Sequence, residues 1–254
     1  MLKKYVNWRH ILLPALLVIL VVGAFYLKTR TKATLTEPTK RLPFSQESTE
    51  ALLERGIRAH NAGSIGTALA LYNEVLQRDP NNKFAHYNLG QILNTQRQFE
   101  KAKQEYEAAL KVDANFLEAR INLGLVLYQQ QQFASAAQEF KKVLQASPGN
   151  PVALFDLGIT LIEMGQNEEA IRWLTAALRQ DPRRADTYYY LGLALQKQKK
   201  LVESGIALRK AIELNPRFAD AYVVLSRVYM AQGEQRLAQQ AMAKASELNP
   251  RLKK

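Results

Sequence analysis

Prolines stand at positions 80, 148, 182, 216 and 250, spaced by 34 residues or by twice 34. A fixed period of this length constrains the chain more than any other feature, because it implies an array of equal supersecondary units stacked on their neighbours. The single place where the series skips holds Ala114. Stepping back 24 residues from each member lands on Gly56, Gly90, Gly124, Gly158, Gly192 and Ser226; stepping back 12 lands on Ala68, Ala102, Ala136, Ala170, Ser204 and Ala238. Six units result: 49–82, 83–116, 117–150, 151–184, 185–218 and 219–252.

Each landmark has a mechanical reason. A small residue midway along one helix and another early in the next let two helices approach closely. Proline cannot continue a helix, and after Asp79, Asp181, Asn215 or Asn249 it sets the turn into the next unit. Apolar residues recur at three- and four-residue spacing, as in Leu89 and Leu93 and then Tyr106, Ala109 and Leu110, which is the pattern of two amphipathic helices. A strand reading finds no alternating pattern to support it. At 47% apolar and 23% charged residues, the chain can bury a core.

The period and the stretches "YNLGQIL" at 87–93, "INLGLVL" at 121–127 and "YLGLALQKQ" at 190–198 resemble the tetratricopeptide repeat. That resemblance covers residues 49–252 and implies an all-α fold, a right-handed superhelical solenoid of six helical hairpins. Departures gather at the ends. Arg55 stands at a usually apolar place, and Ser246 replaces the leucine found as Leu76, Leu110, Leu144 and Leu178. Terminal units face water, so the last hairpin is expected to act as its own polar cap.

Ahead of the array, Ile11 to Leu27 runs 17 residues without a charge, bracketed by Lys3, Lys4 and Arg9 and by Lys28, Arg30 and Lys32. This length is at the short end of the spanning range, and Tyr5, Trp8 and Tyr26 suit the interfaces. We expect a basic tail (1–10), a transmembrane signal anchor (11–27) and a polar tether (28–48). A cleaved signal peptide is the competing reading, with Val22 and Ala24 before the cut, but apolar residues continue through Leu27 and no A-x-A appears. Both flanks are basic, so the positive-inside rule discriminates weakly. The short tail resists translocation, which favours a bacterial inner-membrane protein with its array on the periplasmic side.

The net charge of +12 divides evenly: residues 1–48 hold eight Lys/Arg against two Glu, leaving 27 against 21 acidic residues for 49–254. Half the excess thus sits beside the expected anchor, which argues against a nucleic-acid-binding face. There is no cysteine, and the three histidines, at 10, 60 and 86, have no metal-ligand spacing. No phosphate-cradling loop is present. We therefore expect neither catalytic residues, nor a metal, nor a cofactor, but a scaffold that binds other proteins.

The resemblance also implies where partners bind, because family members line the inner surface of the superhelix with first-helix residues. Here these are Tyr87, Gln91, Ile121, Leu125, Phe155, Ile159, Tyr189 and Leu193, with Asn88 and Asn122 at places where family members hold an extended peptide backbone by amide side chains. An amide donates and accepts together, which matches a bound strand. Tyr87, Ile121, Asp156 and Tyr190 stand where other members carry the cations of a carboxylate clamp, a departure that argues against recognition of a C-terminal carboxylate. The groove of the third to fifth units reads as more apolar than charged, so a peptide or amphipathic helix with hydrophobic anchors is the expected ligand. Trp173, where other units have Glu105, Glu139 and Ala207, is a candidate contact on the convex face.

Overall fold

The computed structural model describes residues 47–253. Among them are twelve α-helices: α1 (Thr49–Asn61), α2 (Ile65–Arg78), α3 (Lys83–Thr95), α4 (Phe99–Val112), α5 (Leu117–Gln129), α6 (Phe133–Ala146), α7 (Pro151–Glu163), α8 (Asn167–Gln180), α9 (Ala185–Lys197), α10 (Leu201–Leu214), α11 (Ala219–Ala231) and α12 (Gln235–Leu248). A 3₁₀ turn, Pro250–Lys253, follows. The helices pair in order into six antiparallel hairpins, and each hairpin packs on the next. The described residues contain no helix long and apolar enough to cross a membrane. The expected tail, anchor and all but the last two residues of the tether lie outside the described residues.

Every hairpin turns the same way, by the same backbone device. The second residue after the end of each first helix adopts positive φ: Gly63, Arg97, Gln131, Gly165, Lys199 and Gly233, at 59–82°. The next N–H reaches back to a carbonyl five residues earlier, as from Ser64 to Ala59 and Gln166 to Leu161, at 2.8–3.0 Å in all six. This is the 6→1 bond of a Schellman ending, which satisfies a carbonyl the helix leaves unpaired. Because the bond is made by backbone, only three of the six positions need glycine.

Between hairpins a second device operates. The carboxylate or amide oxygen of Asp79, Asp113, Asp181, Asn215 or Asn249 accepts from the N–H two residues on, at 2.9–3.3 Å. Asp113 does this although Ala114 follows it. The side chain therefore sets the turn and proline only stiffens it, which explains how the chain tolerates the missing member of the proline series.

Within each hairpin, the small landmark residue lies directly beneath a large side chain of the second helix. A Cβ added to Gly56, Gly90 or Gly124 would come within 2.6–2.7 Å of the Tyr72, Tyr106 or Phe140 ring, and one added to Gly158 or Gly192 within 2.6 Å of Leu174 or Leu208. In the last hairpin Ser226 takes this place and donates its hydroxyl to the Ala238 carbonyl at 2.7 Å. Ser204 does the same from the opposite side, to Gly192. A buried hydroxyl is tolerated here because the crossing backbone supplies an acceptor.

The departure at Arg55 also has a physical account. Arg55 pairs with Glu47, and Arg78 donates to the Glu47 carbonyl at 2.7 Å, so a cation at a normally apolar place ties down the chain just ahead of α1. Ser48 then caps α1 by accepting from the Ala51 N–H.

Two substitutions separate these contributions. Gly158→Ala should overpack the α7–α8 crossing and lower stability by about 1–3 kcal/mol in chemical denaturation. Ala114→Pro should raise stability by about 0.4–1 kcal/mol, because Asp113 already has the extended conformation (φ −137°, ψ 98°) that a following proline requires. A destabilised Ala114→Pro would mean that the residue 114 N–H has a role the turn geometry does not indicate.

Candidate functional site

The curvature of the stack decides which helices form its inner wall. Successive first helices (α1, α3, α5, α7, α9 and α11) touch one another in addition to their own partners, whereas successive second helices do not approach to that extent. The first helices therefore lie on the concave side. Their face is built in register, one hairpin after another, by residues 34 apart.

In the second and third hairpins the inner face is polar and internally bonded. The Tyr87 hydroxyl accepts from Gln91 at 3.0 Å and from Asn122 of the next hairpin at 3.3 Å. Burial, with the nearby charge of Glu118, pushes the Tyr87 hydroxyl up to about 12. Its ring packs on Phe116 at 4.9 Å. Asn88 donates to the Phe84 carbonyl of its own helix at 2.7 Å. The amides expected to wait for a peptide backbone thus already spend a donor inside the molecule. Gln91, Ile121, Asn122 and Leu125 are all half-buried.

In the fourth hairpin the face closes over. Phe155 and Ile159 are only 6% and 8% exposed. The Arg184 guanidinium stacks 3.6 Å from the centre of the Phe155 ring, and Tyr190 meets the ring edge-on at 5.6 Å. Phe155 is therefore part of the core with a cation as its lid, and offers a partner little area. Tyr189 and Leu193 of the fifth hairpin keep partial exposure. Tyr189 packs on Tyr190 and Phe218 at 5.0 and 4.8 Å, and burial pushes its hydroxyl up to about 12.

Three features of this face were not singled out as binding residues from sequence. Phe84 is 45% exposed beside Phe116, with the Lys83 ammonium 5.1 Å from its ring centre. Tyr128 is half-buried on the inner wall. Asp156 lies between Phe155 and Leu157, and burial pushes its carboxyl up to about 7 against the opposing pull of Arg184. The sequence signal for Asp156 was available: apart from Glu163 at the very end, it is the only charge in α7. Phe155 and Ile159 are apolar as read from sequence, but both are covered and do not form an open apolar groove in this hairpin.

Two further side chains are held by internal contacts. Trp173 is half-buried against the central core, and its indole N–H donates to Glu169 at 3.2 Å. His86 bonds Glu105 and the Pro80 carbonyl, and the Glu105 bond raises its pKa. No group of metal-ligating side chains occurs among the described residues.

Tetratricopeptide repeats match residues 53–102, 87–151, 127–195, 185–218 and 219–252. The chain belongs to the tetratricopeptide repeat family. Its fold is a protein-interaction scaffold, generally without enzymatic activity. Solved structures are similar: YrrB, described as a TPR protein with an unusual peptide-binding site (21% identity, 70% of this chain and 92% of that one, TM-score 0.61); MamA from Desulfovibrio magneticus RS-1 (24%, 66% and 95%, 0.64); and PilF of Pseudomonas aeruginosa (20%, 80% and 92%, 0.68). At these identities the likeness is one of fold. No curated protein matches the chain.

The raised Asp156 carboxyl predicts a pH dependence of stability. An unfolded aspartate ionises near 4, so between about pH 4 and 7 the folded state holds a proton that the unfolded state gives up, and stability falls as pH rises through that window. Asp156→Asn should therefore be more stable than the parent at pH 8, on the order of 1–3 kcal/mol, and equal to it near pH 4. Thermal unfolding at the two pH values measures both; an equal gap at both would assign the effect to packing.

Proposed function

We propose that this protein is a membrane-anchored scaffold that gathers partner proteins during assembly of an envelope or membrane complex. In this reading residues 11–27 hold it in a bacterial inner membrane, with the repeat array on the periplasmic side and partner segments bound along the concave face. The observation that carries the binding part is the partly exposed surface formed by Tyr87, Gln91, Ile121, Asn122 and Leu125 on α3 and α5 and by Tyr189 and Leu193 on α9. A surface that mixes aromatic bodies, aliphatic area and amides suits an extended peptide or one face of an amphipathic helix.

The anchor part rests on the uncharged 17-residue run and its basic flanks. A scaffold tethered beside a membrane works at a raised effective concentration of membrane-bound partners, which suits weak, exchangeable binding.

Photocrosslinking in cells tests the binding face. A photoreactive amino acid placed at Leu125 or Leu193 should yield partner adducts, whereas one at Gln138, exposed on α6, should not. Adducts from Gln138 alone would move the interface to the outer surface. Asn122→Ala should weaken capture by about five-fold, the loss of one hydrogen bond. Protease added to spheroplasts should digest the array without lysis; protection until lysis would instead make it a cytosol-facing receptor.

A further inference from the structure

Residues 34 apart occupy the same place in successive hairpins, so each position on the outer surface has five internal references. On the second helices the place of Val202 holds Gly66, Glu100, Ala134, Glu168 and Arg236 in the other hairpins, and that of Ile206 holds Ala70, Gln104, Gln138, Arg172 and Gln240. All twelve positions are exposed. Only α10 puts a large apolar side chain at either place. Val202 is 65% and Ile206 56% exposed, and four residues apart on one helix they share an outward stripe. The hairpin gains nothing from this pair. A β-branched residue is a poorer helix former than the Glu, Gln, Arg or Ala at the equivalent places, and at this exposure little of its apolar area leaves water.

Charge indicates what kind of surface would cover it. Residues 49–196 hold 15 Lys/Arg against 16 acidic residues, whereas 197–254 hold 12 against five, so the positive excess of the array is confined to the stretch from the end of α9 onward. Lys199 and Lys200 stand in the turn just ahead of Val202, and Arg209 lies three residues beyond Ile206. All three are exposed, and none forms an ion pair with a described residue. Of the two carboxylates on α10, Glu213 is paired with Lys210 at 2.6 Å, which leaves only Glu203 against this rim. A second copy of the chain would bring like charges together. A bound helix needs a groove, whereas Val202 and Ile206 project from a convex helix. Protruding aliphatic side chains with cations at both ends of the stripe suit instead the headgroup layer of an anionic bilayer, which yields to the apolar side chains and neutralises the basic ones.

We propose that the outer face of α10 is a membrane-contact surface, on which Val202 and Ile206 enter the interface of an anionic phospholipid bilayer while Lys199, Lys200 and Arg209 pair with its phosphates. The proposal rests on the anchored reading, which keeps the array beside a bilayer. Two aliphatic side chains and three cations make a weak contact by themselves, and tethering supplies the local concentration at which it forms. Contact through a second helix leaves the concave wall of first helices turned away from the lipid and open to partner proteins.

The chain has no cysteine, so one introduced thiol reports one place. Full-length Ile206→Cys and Gln138→Cys, the equivalent place two hairpins earlier, are labelled with the environment-sensitive dye NBD and reconstituted into vesicles of phosphatidylcholine alone or with about one third phosphatidylglycerol. The dye at 206 should brighten about three-fold in the anionic vesicles relative to the neutral ones and be quenched by nitroxide-labelled lipid, whereas the dye at 138 should not change. Lys199→Glu with Lys200→Glu should remove the gain, and Lys101→Glu with Lys111→Glu, exposed on α4, should keep it. Circular dichroism confirms that each variant is folded. Equal emission at 206 in both vesicles, or a gain that survives reversal of Lys199 and Lys200, would overturn the contact. A gain absent from anionic vesicles but produced in detergent by an acidic leucine–glutamate peptide would assign the face to a protein partner, and one that grows with the concentration of the chain itself to a second copy; either overturns it. Flotation reports the anchor separately: a chain that floats with both vesicles without a gain at 206 keeps its anchor and loses the contact, and one that floats with neither loses both.

Discussion

The close crossing of two helices over a residue with almost no side chain governs everything else in this molecule. At Gly56, Gly90, Gly124, Gly158 and Gly192 a large side chain of the second helix sits where a Cβ would be. This lets each hairpin bury its interior at native density without a wide core. Tyr72, Tyr106 and Phe140 fill the space in the first three hairpins, and leucine fills it in the next two. With the crossing fixed, the angle between helices is fixed, and so is the face that each hairpin offers to the next. Where glycine gives way to Ser226, the hydroxyl is accepted by the opposing backbone, so the close approach survives a change of residue.

Repetition of that crossing produces the concave wall. A stack whose first helices approach one another more closely than its second helices must curve, and residues one period apart then align along the inside. The two turn devices serve the same end. Backbone-only endings within hairpins and Asp or Asn side chains between them hold the connections short, and neither depends strictly on glycine or proline. The scaffold is therefore tolerant of substitution in its turns and intolerant at its crossings.

On this rigid wall the interior bonds decide what is left for a partner. The Tyr87 hydroxyl gathers Gln91 and Asn122, and Arg184 covers Phe155, so the face is partly satisfied in the free state. Asp156, half-buried beside Phe155, keeps its proton to a higher pH than an ordinary aspartate because of its burial, with Arg184 opposing.

Much of this was legible in the sequence. The period, the all-helical class, the hairpins and their glycine landmarks all follow from local periodicity and from residues whose conformational effects act within a few positions, which is why one chain read alone yields them. Tertiary structure alone decided the state of the individual side chains. Exposure depends on what the neighbouring hairpin places 34 residues away, and so Phe155 and Ile159 turn out to be covered, Trp173 packs on the core, and Asn88 and Asn122 donate within the protein. Arg55 looked like a departure from pattern and proved to be an ion pair with Glu47. The raised carboxyl of Asp156 is likewise set by tertiary structure, because burial depends on what packs around the group and no spacing in a sequence encodes that.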